Sequence, residues 1–159
     1  MSPQDFAKVF KILTGNPPFP WQTTLYHRFI SDDFPSSASL PTGLGKTSII
    51  AIWLCALATK PDTTPRRLVY VVNRRTVVDQ TTAEVEKWRK QLSSADLLSL
   101  SANLASLCAI PLSPDASPLA ISTLRGQFAD NREWSADPAR PAVIVGTVDM
   151  IGSGLLFSR

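Results

Sequence analysis

The sequence contains few residues that bind metals or form crosslinks, with two cysteines and one histidine among 159 residues. Cys55 and Cys108 lie far apart, without the spacing of a zinc site, which excludes a disulfide framework and predicts two buried, reduced thiols. His27 has no second ligand residue nearby and is interpreted as a surface residue of a helix. These features indicate a cytosolic protein without a zinc site.

Long hydrophobic runs are also absent. The longest uncharged apolar run, from Ile49 to Ala58, is far shorter than the roughly 20 residues that cross a bilayer. The first residues, Met1 to Phe6, lack the basic start and apolar segment of a signal peptide. We therefore expect a cytoplasmic protein with no membrane partner.

Charge of either sign is modest. Charged residues make up 18% of the chain and hydrophobic residues 44%, which excludes a disordered composition and indicates one globular domain. The net charge of +3 permits a polyanionic partner but does not require one.

Helical and strand patterns alternate along the chain, which predicts an α/β fold with a parallel sheet. The continuous β-branched run Leu68 to Val72 predicts a strand buried on both faces. Trp53 and Trp88 are predicted to lie in the core, and Trp134 could lie on a surface loop. The predicted helices are Ser2 to Gly15, one starting just after Pro20, Ser48 to Ala58, Thr76 to Leu92 and Ser94 to Leu107; the other predicted strands are Ser36 to Leu40, Leu119 to Leu124 and Ala142 to Val145.

A glycine-rich segment stands between a predicted strand and the most apolar helix. It reads Leu-Pro-Thr-Gly-Leu-Gly-Lys-Thr over residues 40–47, the pattern of a phosphate-binding loop, in which glycines let successive N–H groups face phosphate oxygens. Lys46 is expected to hold the β- and γ-phosphates of ATP, and Thr47 to ligate Mg²⁺, so these two are the candidate catalytic residues. The loop residues expected to contact nucleotide are Thr42, Gly43, Leu44, Gly45, Lys46, Thr47 and Ser48.

Two features of this motif leave alternatives open. The strict pattern has glycine where this chain has Leu40, a departure that narrows the class of loop and does not refute it. The alternative is a glycine-rich turn that caps an ordinary helix. Upstream, Gln22 follows a rigid Pro-Phe-Pro-Trp turn, and its amide could both donate to and accept from the edge of adenine. Gln22 could instead cap its own helix, with Trp21 in the core.

Basic and hydroxyl side chains follow the predicted strands. Arg74 and Arg75 come directly after one buried strand and Thr147 after another, where ligands meet parallel sheets. They are candidates for holding the backbone of nucleic acid, with Arg125 as a weaker one. A solvated charged turn and a plain helix cap are the alternatives.

Together these strings resemble the start of a superfamily 2 helicase, and more narrowly the helicase-nuclease of type I CRISPR systems, U/G subtype. The resemblance rests on residues 13–22, 40–47, 71–80, 124–126 and 146–157. It implies an incomplete RecA-like P-loop NTPase domain, with residues 1–35 forming helices and the adenine-reading motif and residues 36–159 the sheet core. It also implies ATP and Mg²⁺ as cofactors, and single-stranded DNA and a guide-RNA surveillance complex as partners.

The sequence departs from that family in its acidic motif. No apolar strand is followed by an Asp-Glu pair, and Met150 stands after Asp149 where a Glu would be needed. A second RecA-like domain and a nuclease signature are also missing, so we expect no ATP hydrolysis or unwinding by this chain alone. The favoured interpretation is the N-terminal piece of a longer helicase; a standalone, non-catalytic nucleotide-binding or interaction module is the alternative.

Overall fold

A computed structural model of the chain describes residues 3–124 and 133–156. The strands are β1 (Arg67–Val72), β2 (Ala120–Leu124) and β3 (Ala142–Thr147). Short 3-10 turns at Lys46–Ser48 and Ala95–Leu97 precede the third and fifth helices. The helices are α1 (Pro3–Thr14), α2 (Pro20–Ile30), α3 (Ile49–Thr59), α4 (Arg75–Gln91), α5 (Leu98–Ala105), α6 (Glu133–Ala136) and α7 (Val148–Leu156).

The three strands form a parallel sheet in the order β1-β3-β2, which confirms the predicted α/β class. β3 lies in the middle, paired along both edges, and it is buried from Ala142 to Gly146 because α4, α6 and α7 pack against it. The register aligns Val72 of β1 with Thr147 of β3, so both strands end at the same edge of the sheet.

The core is built around α3. Every residue from Ile50 to Ala58 is buried, as the all-apolar sequence of this helix predicts. Helices α1, α2, α4 and α5 surround it. Within the part of the chain that the structure describes, no helix has the length and hydrophobicity needed to cross a bilayer.

Two tryptophans and one cysteine confirm the predicted core. Trp53 and Trp88 are buried, and the Trp53 indole N–H donates to the Pro65 carbonyl at 2.7 Å. Cys55 is completely buried, and this burial raises the pKa of its thiol to about 12. Cys108 is also a free thiol but only half-buried, in the turn after α5, so the prediction of two buried thiols was wrong for this residue.

Helices α1 and α2 pack through aromatic side chains. The rings of Phe6 and Tyr26 stack with their centroids 4.1 Å apart, and both side chains are fully buried. The Tyr26 hydroxyl lies 3.2 Å from that of Thr59, at the end of α3. This packing holds α2, the helix that carries Gln22, against α1 and the end of α3.

The predicted strand Ser36 to Leu40 does not form. The segment is irregular, because small serines have low strand propensity and no described strand pairs with it. The prediction that β1 is buried on both faces was also wrong: Val69 and Val71 are 41% and 47% exposed. β1 is an edge strand, and it packs against the core through Leu68, Tyr70 and Val72.

Three smaller predictions also need correction. The predicted helix over residues 94–107 is divided between the 3-10 turn and α5. Trp134 lies in α6 and is half-buried beneath the Arg67 guanidinium, 5.4 Å from its ring centroid, rather than on a surface loop. His27 lies on α2 as predicted, but its side chain is half-buried against Tyr26.

The buried carboxylate of Asp137 joins the turn after α5 to the start of β3. Its two oxygens accept backbone N–H groups of Ile110 at 3.0 Å and Ala139 at 2.9 Å. The Ile110 hydrogen bond, with the support of the Ala139 bond, lowers the pKa of Asp137. The carboxylate therefore stabilises the fold in its charged form.

We expect Asp137→Asn to lower the urea midpoint at neutral pH, because asparagine has one acceptor atom for two donors. A folded-state pKa below the unfolded value means that the stabilisation is present above about pH 4 and is lost as pH falls through the folded-state pKa. The difference in urea midpoint between the wild type and Asp137→Asn should therefore become smaller below pH 4. Asp62→Asn, in an exposed turn, is the control; equal midpoints for the two variants at pH 7 would contradict this role.

Candidate nucleotide-binding site

The segment from Pro41 to Gly45 forms a turn directly before the buried helix α3. Gly43 has a φ of +87° and Gly45 a φ of +70°, the left-handed region that glycine adopts without strain. The 3-10 turn Lys46–Ser48 then leads into α3, and the first N–H groups of a helix have no partner inside the helix. The backbone is thus curled at both glycines, as a phosphate-binding loop requires.

A chain of hydrogen bonds joins this loop to the start of α2. The Phe19 backbone N–H donates to Gln22 Oε1 at 2.7 Å, and Gln22 Nε2 donates to the Ser48 hydroxyl. The Ser48 hydroxyl in turn donates to the Gly45 carbonyl. Through these bonds the side chain of Gln22 both caps α2 and holds the loop. The side chain is only 3% exposed. Its predicted role in reading adenine is not tested by these contacts and stays a prediction.

A cavity of about 650 Å³ opens beside the loop. This volume lies within the range typical of small-molecule sites. Gly43, Gly45, Thr47 and Ser48 line it on one side. The remaining walls come from α1, α2, the turn between them and α4: Phe10, Thr14, Asn16, Pro17, Phe19, Gln22, Glu84 and Trp88.

Some of the residues that are predicted to contact nucleotide do not line this cavity. Thr42, Leu44 and Lys46 lie in the loop but outside the set that lines the cavity. Lys46 is exposed and makes no ion pair within residues 3–124 and 133–156. Its flexible side chain can therefore turn toward a bound anion without breaking a described contact.

Thr47 is half-buried and lines a second cavity, against α4, together with Thr81 and Glu84. Glu84 is the carboxylate that borders both cavities, and it accepts from Lys87 at 3.0 Å. Sequence reasoning missed Glu84, since a polar residue on an amphipathic helix carries no signal of a site. Trp88 was predicted only as core, because the inward periodicity of α4 indicates burial and not proximity to the loop.

Metal binding at the loop would depend on the nucleotide. Among the described residues, no group of three or more His, Cys, Asp or Glu side chains could hold a metal ion. Mg²⁺ is commonly held by one or two protein oxygens together with substrate phosphates. The Thr47 hydroxyl fits that arrangement, as one protein ligand beside the phosphates.

The candidate nucleic-acid residues partly converge. Arg74 and Arg75 follow β1 and are exposed, and Thr147 ends β3 at the position aligned with Val72. The sheet topology thus brings Arg74, Arg75 and Thr147 to one edge. Arg125 lies outside the described residues.

A family model matches most of this chain. The model is that of the type III restriction enzyme res subunit, and it matches residues 17–136, about three quarters of the sequence. The chain belongs to this family. Res-subunit membership supports the helicase superfamily and an ATP-binding, helicase-like role, and the three-stranded parallel sheet is that of an incomplete RecA-like P-loop helicase domain.

The region matched by the res-subunit model includes Gln22, the glycine-rich loop, and Arg74 and Arg75, but it ends before Thr147. Helicase-like domains of this family typically bind ATP with Mg²⁺. No curated protein and no solved structure gives a significant match to the chain.

Proposed function

We propose that the chain is the nucleotide-binding part of an ATP-driven DNA helicase. One observation carries this proposal: the left-handed turn at Gly43 and Gly45 stands before a buried helix and shares a cavity with Gln22. An anion site and a group suited to an adenine edge are thus available to one ligand.

In this proposal the phosphates of ATP lie on the loop. Backbone N–H groups and the positive end of α3 attract the phosphate oxygens, and Lys46 adds a mobile cation. Thr47 would hold Mg²⁺, which neutralises phosphate charge when bound. Gln22 would contact the base from the wall of the same cavity.

ATP turnover by this chain alone is not part of the proposal. Phosphoryl transfer needs a group that orients the attacking water and charges that stabilise the transition state. The sequence has no strand followed by an Asp-Glu pair, the motif that would supply these groups. Binding without measurable phosphate release is therefore the expected behaviour.

Calorimetric titration with ATP and MgCl₂ tests this function. One binding site per chain is expected, together with no phosphate release above the buffer rate. Absence of heat at millimolar ATP would contradict the proposal. Phosphate release faster than in buffer would leave the nucleotide-binding proposal intact but would refute the expectation that the chain alone does not hydrolyse ATP.

The same proposal assigns single-stranded DNA to the edge formed by Arg74, Arg75 and Thr147, with Arg125 as a further contact. Exposed arginine guanidinium groups hold phosphates without reading sequence. By resemblance of its motifs, the helicase would act in the cytoplasm in CRISPR-based antiviral defence, recruited by a guide-RNA surveillance complex. The combination of all the quoted motifs, together with residues 147–157, supports this narrower assignment.

The arginines can be tested through the salt dependence of DNA binding. Replacing both Arg74 and Arg75 with alanine should reduce the slope of log affinity against log salt by about 1.4, since each single-strand phosphate contact contributes about 0.7. Lys90→Ala, at the other end of α4 and also exposed, is the control. An unchanged slope in the double variant would count against this edge.

The second candidate is a non-catalytic nucleotide-binding or interaction module. The missing acidic pair and the exposed Val69 and Val71 on β1 favour it, because exposed apolar side chains on an edge strand can contact a partner. The two functions differ in one measurable property. A helicase segment should bind single-stranded DNA with a salt-dependent affinity, whereas an interaction module need not bind DNA.

A further inference from the structure

The hydrogen bonds of Gln22 fix which way its amide faces. The Phe19 backbone N–H can only donate, so the oxygen of the amide must face it. The Ser48 hydroxyl gives its proton to the Gly45 carbonyl, so toward Gln22 it can only accept, and the NH₂ group must face Ser48. Both ends of the amide therefore specify one orientation.

This arrangement uses half of the hydrogen-bonding capacity of the side chain. A primary amide has two acceptor lone pairs and two N–H donors. Phe19 occupies one lone pair and Ser48 one N–H, which leaves one acceptor and one donor on a residue that lines the 650 Å³ cavity.

The free acceptor and the free donor of the Gln22 amide can distinguish adenine from guanine. Adenine presents an N6 donor beside an N7 acceptor, which matches one acceptor and one donor of a fixed amide. Guanine presents two acceptors, O6 and N7, and would leave the Gln22 oxygen facing another acceptor. An amide that could rotate freely would discriminate less.

We infer that Ser48 is a positioning residue that determines base specificity, by holding Gln22 in the orientation that selects adenine over guanine. This inference rests on the proposed nucleotide-binding function and gives Ser48 a role other than contact with the phosphates. Gln22 is nearly completely buried, so the hydroxyl of Ser48 takes the place of the water that would otherwise satisfy its NH₂ group.

The test compares the full chain with its Ser48→Ala and Ser48→Thr variants. Affinities are measured for ATP, for GTP and for inorganic tripolyphosphate, which has no base. Ser48→Ala should reduce the preference for ATP over GTP by about tenfold. The tripolyphosphate affinity measures separately any change in the loop that follows from losing the Ser48–Gly45 hydrogen bond. Ser48→Thr keeps a hydroxyl and should retain most of the preference.

Two results would overturn the inference while leaving the proposed function intact. One is an unchanged ATP to GTP ratio in Ser48→Ala; the other is an equal fall in ATP and tripolyphosphate affinity, which would mean that Ser48 only shapes the loop. If the wild-type chain binds none of the three ligands, the proposed function fails and this inference with it.

A measurement on the wild-type chain requires no variant to fold. The analogue 7-deaza-ATP lacks the N7 acceptor that the free Gln22 N–H would meet. Its affinity should be about tenfold lower than that of ATP. Equal affinities for the two nucleotides would overturn the proposed amide orientation.

Discussion

Replacing Lys46 with alanine is expected to lower the affinity of the chain for ATP by about 100-fold. The lysine follows Gly45 and stands at the beginning of the turn that leads into α3. A charged hydrogen bond to phosphate is worth up to roughly 3 kcal/mol, which corresponds to that factor. The measurement is a calorimetric titration with ATP and Mg²⁺ at fixed ionic strength.

The matched control for this substitution is Lys60→Ala. Lys60 is also exposed and caps the opposite end of the same helix, through its N–H bond to the Ala56 carbonyl. Its removal changes the net charge equally but takes no cation from the loop. Equal ATP affinities for the two variants would show that the glycine-rich turn does not bind the phosphates.

Replacing Trp53 with alanine is expected to destabilise the fold by about 3–5 kcal/mol, as for other buried tryptophans. The side chain is 3% exposed at the centre of α3, and its indole N–H is bonded to the Pro65 carbonyl. The total stability of a domain of this size is only about 5–15 kcal/mol, so the variant should unfold at much lower urea concentrations.

Phenylalanine variants separate packing from hydrogen bonding. Trp53→Phe keeps most of the packing but leaves the Pro65 carbonyl without its donor, at a cost of about 1 kcal/mol. Trp21→Phe is the matched control, because the buried Trp21 indole N–H has no partner among the described residues. Removing this N–H should leave the free energy of unfolding unchanged or raise it. A larger loss of unfolding free energy in Trp21→Phe than in Trp53→Phe would contradict this description of the core.

Elements with a strong periodic or continuous apolar pattern could be predicted from the sequence. The burial of α3 and the inward side chains Val85 and Trp88 of α4 follow directly from the positions of apolar residues. β3 also forms where its apolar run indicates. In these segments local propensity and tertiary packing favour the same structure.

Features that depend on neighbours could not be predicted. Whether residues 36–40 form a strand depends on a pairing partner, and the exposure of Val69 depends on which helices cover β1. At the site, the Gly43 and Gly45 pattern predicts the turn, but the bond between Gln22 and Ser48 spans 26 residues and has no sequence signature. Glu84 reaches the cavity only through the packing of α4.

The central claim is that the turn at Gly43 and Gly45 binds the phosphates of ATP. Backbone amide NMR of the ¹⁵N-labelled chain during titration with ATP and MgCl₂ tests it most directly. The account predicts the largest shift changes at Gly43, Gly45, Lys46 and Thr47 and at the side-chain amide of Gln22. No change in these signals at saturating ATP, or changes confined to residues near Lys60, would contradict it.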